Sequence, residues 1–286
     1  MIVQKNYRAL SCADCAGGAG LDFELTMAFQ PIVNFAKGEI YAHEALVRGV
    51  KNESAGEIFK HVNEGNRYRF DQTCRVKAVQ LASQLGMPSY LSINFMPNAV
   101  YRPELCIRTT LDAAEKYGFP IDRIIFEITE GEKVEDVKHL REIVEHYKKQ
   151  GFLTAIDDFG AGYAGLNLLA DVQTDLVKLD MALIRNIDKD KGRRAIARGI
   201  IQVCRELSMQ VIAEGIETYE ELNTLGELGV ELFQGYYSRE AGVSGVGSRA
   251  TGIVRSSRLT RRSSGKKYPT AGHLALPAYG AFHENH

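Results

Sequence analysis

Leu153-Thr154-Ala155-Ile156-Asp157-Asp158 is a short apolar run that stops at two adjacent carboxylates. A glycine-rich turn, Gly160-Ala161-Gly162, and a helix-like stretch, Leu166–Ala170, follow it. The same unit recurs in both directions along the chain. Ile124-Ile125-Phe126 stops at Glu127, Leu91-Ser92-Ile93 stops at Asn94, and Ile40–Leu46 carries Glu44. Leu176-Val177 runs into Lys178-Leu179-Asp180, Val211-Ile212-Ala213 into Glu214, and Leu232-Phe233 into Gln234. Strand-length runs alternating with helical stretches predict an α/β fold with a parallel sheet. If that sheet closes into a barrel, the residues at the carboxyl ends of its strands converge on one mouth. Acids, an amide and a lysine gathered there would repel one another without cations among them. That points to divalent metal ions and an anionic substrate.

The rest of the chain fits one such domain. Its 286 residues suit a single barrel, which needs about 250. Apolar residues make up 45%, enough for a large core. Met27–Phe35 and Glu39–Val47 read as two strands around a turn at Ala36-Lys37-Gly38. Residues 55–86 and Pro103–Tyr117 carry helical period. Val134–Gln150 is the clearest helix: Val137, Leu140, Val144 and Tyr147 share one face, and Gly151 follows. Gly192–Leu207 and Tyr219–Leu228 complete the set. The expected boundaries are a flexible leader over 1–25, the barrel over 26–240, and a low-complexity tail over 241–286 that reads as disordered.

Charge is uneven. Seven Lys/Arg and one acid, Glu284, give the tail +6, which leaves −7 on the rest of a chain whose net charge is −1. An acidic body argues against nucleic-acid binding by the barrel. No aromatic residue is interleaved with the basic cluster Arg255–Lys267, so a solvated tail is the favoured reading there. No run of apolar residues is long enough to span a membrane, and the N-terminus lacks a secretory layout, so the cytosol is the expected compartment. Five cysteines without an export signal argue against disulfides. Cys12 and Cys15 form a lone C-x-x-C, read as a flexible reduced pair rather than a metal or redox site.

Each candidate has a plainer reading beside it. Asp157-Asp158 can bridge two cations, or one of the pair can cap a helix. Glu44, Asn94 and Glu127 are hard oxygen donors suited to magnesium or manganese, yet any one alone is commonly a capping or surface group. Lys178 in its apolar run can snorkel, or hold a phosphate or hydroxide. Glu214, followed by Gly215 and Glu217, adds acid at another strand end. Gly160-Ala161-Gly162-Tyr163-Ala164-Gly165 matches a dinucleotide fingerprint, with Asp180 suitably placed for a nicotinamide dehydrogenase. Asp157 and Asp158 argue against it, because two carboxylates there would repel a pyrophosphate. A loop that shapes the site is the better reading of those glycines.

Taken together, these segments resemble the EAL-domain phosphodiesterases of bacterial cyclic-di-GMP signalling, from about Phe29 to Tyr237. The motifs are Glu44-Ala45-Leu46-Val47-Arg48, Phe29-Gln30-Pro31-Ile32-Val33, Ser92-Ile93-Asn94-Phe95, Glu127-Ile128-Thr129-Glu130 and Asp157-Asp158-Phe159-Gly160-Ala161-Gly162. Lys178-Leu179-Asp180, Ala213-Glu214-Gly215-Ile216-Glu217 and Gln234-Gly235-Tyr236 follow. The resemblance implies a modified TIM barrel with one antiparallel strand, usually a homodimer. It implies hydrolysis of cyclic-di-GMP to linear 5'-pGpG with two magnesium or manganese ions activating a water. By that resemblance Glu44, Asn94, Glu127 and Asp157 would hold one ion, and Asp157 and Asp158, with Glu214 nearby, the other. Lys178 would position the hydroxide, with Glu214 a candidate general base. Gln30, Leu46, Arg48 and Gln234 would contact the dinucleotide, while Glu130, Glu217 and Asp180 would support the site. The alternative is a catalytically weak domain that binds cyclic-di-GMP or a regulatory protein partner. The chain departs from the family at Met96, where a small polar residue is common. It departs again after Tyr237, which leaves open whether the closing helix is present.

Overall fold

The computed structural model describes residues 21–97, 100, 102–128, 136–161 and 165–235. Within it the apolar runs are eight strands that close into a barrel in chain order. They are β1 (Leu25–Asn34), β2 (Glu39–Gly49), β3 (Tyr90–Phe95), β4 (Ile124–Ile128), β5 (Leu153–Phe159), β6 (Leu176–Leu179), β7 (Gln210–Ala213) and β8 (Leu232–Phe233). β1 lies antiparallel to β2 and β8, and every other neighbouring pair is parallel. The fold is therefore a TIM-type barrel modified by one reversed strand.

The helices follow the strands. They are α1 (Ala55–Phe59), α2 (Arg67–Gln84), α3 (Pro103–Cys106), α4 (Arg108–Tyr117), α5 (Val137–Lys149), α6 (Leu166–Asp171), α7 (Met181–Ile184), α8 (Lys191–Glu206) and α9 (Tyr219–Glu227). Two expected helices are each divided. Over 55–86, the Asn63 side chain accepts from Gly65 N and that of Asn66 accepts from Asn63 N. Such local bonds compete with the helical ladder, so the chain turns there before α2 begins. Over 103–117, Pro103 opens a one-turn helix and Ile107 joins it to α4. Gly118 then ends α4 at φ +70°, a conformation that favours glycine. In α5 the buried face is Leu140, Ile143, Val144 and Tyr147, while Val137 lies at the exposed N-terminal turn.

Side chains of a strand alternate between its two faces, and this divides the core. Outside the barrel wall, Phe95, Phe126, Ile156, Val177 and Leu179 pack against the helices. Inside it, Ile32, Ala42, Ile125, Ala155, Leu176, Ile212 and Leu232 form a separate apolar layer. Two residues further towards the carboxyl ends of β2 and β4 to β8 stand Glu44, Glu127, Asp157, Lys178, Glu214 and Gln234. On the reversed strand the order inverts, so Gln30 rather than a later residue reaches this level, directly opposite Glu44.

One boundary shifts. Residues 21–25 belong to the folded unit rather than to a leader: Leu21 and Phe23 pack on the core, and the Phe23 ring lies 6.4 Å from that of Phe70. Cys12, Cys15, Glu130, Tyr236, Tyr237 and the tail from 241 lie outside the described residues. Among the described residues no helix is long and apolar enough to cross a membrane.

Candidate active site

Lys178 stands at the centre of the barrel mouth. Its ammonium lies 2.7 Å from Glu214 Oε1, 2.8 Å from Asp157 Oδ1, 2.9 Å from Glu127 Oε2 and 3.3 Å from Glu44 Oε2. The side chain is 1% exposed. β6 places it there because its neighbours Val177 and Leu179 face outward into the apolar layer. Asn94 Nδ2 donates to Glu44 Oε1 at 2.7 Å, and Gln234 Nε2 donates to Glu44 Oε2 at 2.6 Å. Ser92 Oγ donates to Glu127 Oε1.

Asp157 and Asp158 both reach this centre because β5 is irregular there. Its register with β6 shifts between Ile156 and Phe159, and Asp158 adopts φ +52°. Such a bulge breaks the alternation that would send adjacent side chains to opposite faces. The result is two overlapping groups of ligand atoms, each within 4.8 Å of one another: Glu44, Glu127 and Asp157, and Asp157, Asp158 and Glu214. Asp157 is common to both. Neither aspartate caps a described helix; α6 begins after Gly165, whose conformation is extended.

One ammonium does not neutralise five carboxylates. Burial pushes Glu127 well above the usual carboxylate range, and Glu44 and Asp157 add to it against the pull of Lys178. Burial also raises Asp157, with Lys178 opposing and Glu44 assisting. Asp158 is pushed up to about 6 by burial and then by Asp157 and Asp180. Glu214 is pushed up to about 8, again chiefly by burial. Glu44 alone goes down: burial is outweighed by Lys178 and by the bonds from Gln234 and Asn94. Lys178 is held well above its usual value, since the four carboxylates overcome its desolvation.

The remaining candidates are distributed around this core. Leu46 lines a cavity of about 450 Å³ beside the mouth, together with Glu44, Asn94, Met96 and Asp157. The Arg48 guanidinium donates to Val47 O at 2.7 Å. Asp180 accepts from Ala182 N and caps α7, close enough to Asp158 to raise it. Glu217 is turned away from the carboxylates and pairs with Arg185 at 2.8 Å. Arg185 also donates to Gly215 O at 3.1 Å and to Glu221, and so ties down the turn after Glu214. Gly215 fits that turn because its φ is +63° and an added Cβ would stand 2.6 Å from Met181 Cβ. Ser92 and Arg185 are residues the sequence reading passed over. Ser92 could have been found by period, two positions before Asn94 on the same face; nothing local marks Arg185.

The donor set fits divalent cations. Among the described residues Asn94 Oδ1 and Gln234 Oε1 are buried without a hydrogen-bond partner, and Asp157 Oδ1 faces Lys178 without hydrogen-bond geometry. Buried oxygens left unpaired are costly unless something meets them. Carboxylate and amide oxygens are the donors that magnesium and manganese take.

Comparison with known proteins gives the same direction. The EAL domain model matches residues 21–241. The blue light- and temperature-regulated antirepressor BluF of Escherichia coli (strain K12) is 33% identical over 224 residues, 78% of this chain and 56% of BluF. The cyclic di-GMP phosphodiesterase PdeF of the same organism is 34% identical over 219 residues, 72% of this chain and 28% of PdeF. The chain thus spans about half or less of the length of these curated relatives. Among solved structures, a standalone versatile EAL protein from Vibrio cholerae O395 in its c-di-GMP bound form is 60% identical, with TM-score 0.74 over 76% of this chain and 92% of that one. Klebsiella pneumoniae BlrP1 in a manganese/cy-diGMP complex is 35% identical, with TM-score 0.70 over 74% of this chain and 54% of that one. Matched from the start of the described barrel to its last strand, this chain belongs to the EAL domain family.

Proposed function

We propose that the chain is a phosphodiesterase that hydrolyses cyclic-di-GMP to linear 5'-pGpG with two divalent cations, magnesium or manganese. The observation that carries this reading is the carboxylate of Asp157, shared by two adjacent groups of three acids at one barrel mouth. Glu44, Asn94, Glu127 and Asp157 would hold one ion; Asp157, Asp158 and Glu214 would hold the other. When bound, such ions supply Lewis-acid activation of water and of the phosphoryl group.

The chain's own residues supply the rest. Lys178 places a fixed positive charge among the carboxylates, where charge develops on a reacting phosphate. Glu214, 2.7 Å from the Lys178 ammonium at the end of β7, would be the candidate general base. Arg48 offers a planar fork that matches a phosphodiester, and Gln30, Leu46 and Gln234 border the same mouth. Hydrogen bonds from Gln234 and Asn94 fix the Glu44 carboxylate in one orientation. Cytosolic location and a homodimer belong to the same proposal; sedimentation velocity of the purified chain tests the second.

The test is product chromatography after incubation with cyclic-di-GMP and manganese. Linear pGpG is expected from the wild type, and Glu44→Ala should lower its rate at least about 100-fold while leaving the circular-dichroism spectrum unchanged. Intact substrate in the presence of folded wild type would overturn the enzyme reading. A second reading is favoured by one observation: the relative BluF is named an antirepressor. In that case the domain binds cyclic-di-GMP or a protein partner without turnover, and calorimetry would register tight binding with no product.

A further inference from the structure

We propose that the buried Asp71–Arg75 pair on α2 is a positioning device for the ends of β3 and β4, which carry Asn94 and Glu127. The inference rests on the metal-site reading above and extends it to residues behind the donors.

Arg75 is fully buried behind the barrel wall. Its Nη2 lies 2.6 Å from Asp71 Oδ2, and its Nη1 donates to the Tyr147 hydroxyl at 3.1 Å. Its guanidinium sits 5.4 Å from the centre of the Phe95 ring and 5.3 Å from that of Phe126. These rings are the outward-facing neighbours of two inward-facing donors: Phe95 follows Asn94, and Phe126 precedes Glu127. Asn94 and Glu127 are themselves partners in the β3–β4 register. Asp71 Oδ1 accepts from Met96 N at 3.2 Å and so holds the backbone just past Asn94.

This stretch of β3 needs such a hold. The β2–β3 ladder pairs residues only as far as Ala45 and Ile93, so beyond it β2 reaches this stretch through the Glu44–Asn94 side-chain bond at 2.7 Å. The cavity of about 450 Å³ beside the mouth is bordered on this side by Asp71, Cys74, Ala78, Phe95 and Met96. A fully buried ion pair adds little stability over an apolar pair of similar volume; here the bonds to the Tyr147 hydroxyl and from Met96 N orient its two ends. On a strand, a small rotation of Phe95 or Phe126 turns the adjacent donor out of the site.

The test replaces the pair by apolar residues, Asp71→Leu with Arg75→Met, and compares the full chain with wild type. Four readouts are taken: thermal midpoint, calorimetric Mn²⁺ affinity, kcat and KM, and amide exchange over 91–96 with 210–213 as control. The expected result is a midpoint close to wild type, Mn²⁺ affinity and kcat each lower by about 10- to 100-fold, KM unchanged, and faster exchange confined to 91–96. Arg75→Lys keeps the charge but lacks the fork, and should fall between. If the double variant does not fold, Asp71→Asn keeps volume and an acceptor for Met96 N and is read in the same way. Wild-type Mn²⁺ affinity in a folded variant would overturn the inference alone. A wild type that binds Mn²⁺ without turnover removes the enzyme reading, and the affinity comparison still decides the inference. A wild type that binds no Mn²⁺ removes both.

Discussion

Ile125 and Glu127 are two residues apart on one strand, and so are Ala155 and Asp157, Leu176 and Lys178, and Ile212 and Glu214. The first of each pair belongs to the apolar layer inside the barrel, the second to the charged mouth. The lower layer follows the rules of a stable core, being apolar and buried. The upper layer breaks them, with buried acids pushed out of their normal range and oxygens without partners among the described residues. One barrel therefore separates its tasks by level. The lower layer and the outer wall hold the fold, which leaves the mouth free to carry buried charge.

The largest expected effect tests the charged layer. Lys178→Met leaves four buried carboxylates without their cation and should destabilise the metal-free protein by about 3–5 kcal/mol, read by denaturant titration. Added Mn²⁺ should recover part of that loss by taking over the same charge role; no recovery would break the link between mouth and metal. Leu176→Ala, in the layer beneath, should cost about 2–5 kcal/mol, with turnover per folded molecule unchanged. A matched loss of turnover would show that the two levels are not independent.

The pH dependence is the next largest. Glu214 at about 8 and Asp158 at about 6 both keep their protons in the folded state to higher pH than in an unfolded chain. Their contribution to stability is full below the ordinary carboxylate range and is lost as pH rises through 6 and then 8. The thermal midpoint of the metal-free protein should fall over that window, and Mn²⁺ should raise it more at pH 8 than at pH 6, the two values at which these groups titrate. The smallest effect separates the two roles of Asp180. Asp180→Asn keeps a side-chain cap for α7 and removes a charge near Asp158. Stability should hold within about 0.5 kcal/mol, while the Asp158 titration, followed by NMR, moves down.

Several features were legible in the chain because they are local. Short apolar runs ending in polar groups marked seven strands, with the positions Glu44, Asn94, Glu127, Asp157, Lys178, Glu214 and Gln234, and the turn at Ala36-Lys37-Gly38 marked β1. The resemblance supplied the reversed strand. Helix breaks were harder, since the Asn63–Asn66 bonds that divide 55–86 compete with helical period rather than abolish it. Asp180 and Glu217 were placed behind the site from motif alone; in the fold one caps α7 and the other pairs with Arg185. Asp71 and Arg75 have the spacing of an ordinary i,i+4 surface pair on a helix, and they read as one until Phe95 and Tyr147, 20 and 72 residues from Arg75, are seen to cover it.

The sequence by itself determined the alternation of strand and helix, the inward side of every strand, and the chemical type of each group at its end. Those depend on period and on residue identity, which are properties of neighbours in the chain. The resemblance had assigned Asp157 to two ions; only the tertiary structure decided the bulge that brings Asp157 and Asp158 together, that Lys178 is the common counter-ion of four acids, and that Asp71 and Arg75 back the strand bearing Asn94. Each of these turns on a bulge, a barrel closure or a helix crossing, and such geometry exists only once distant segments have met.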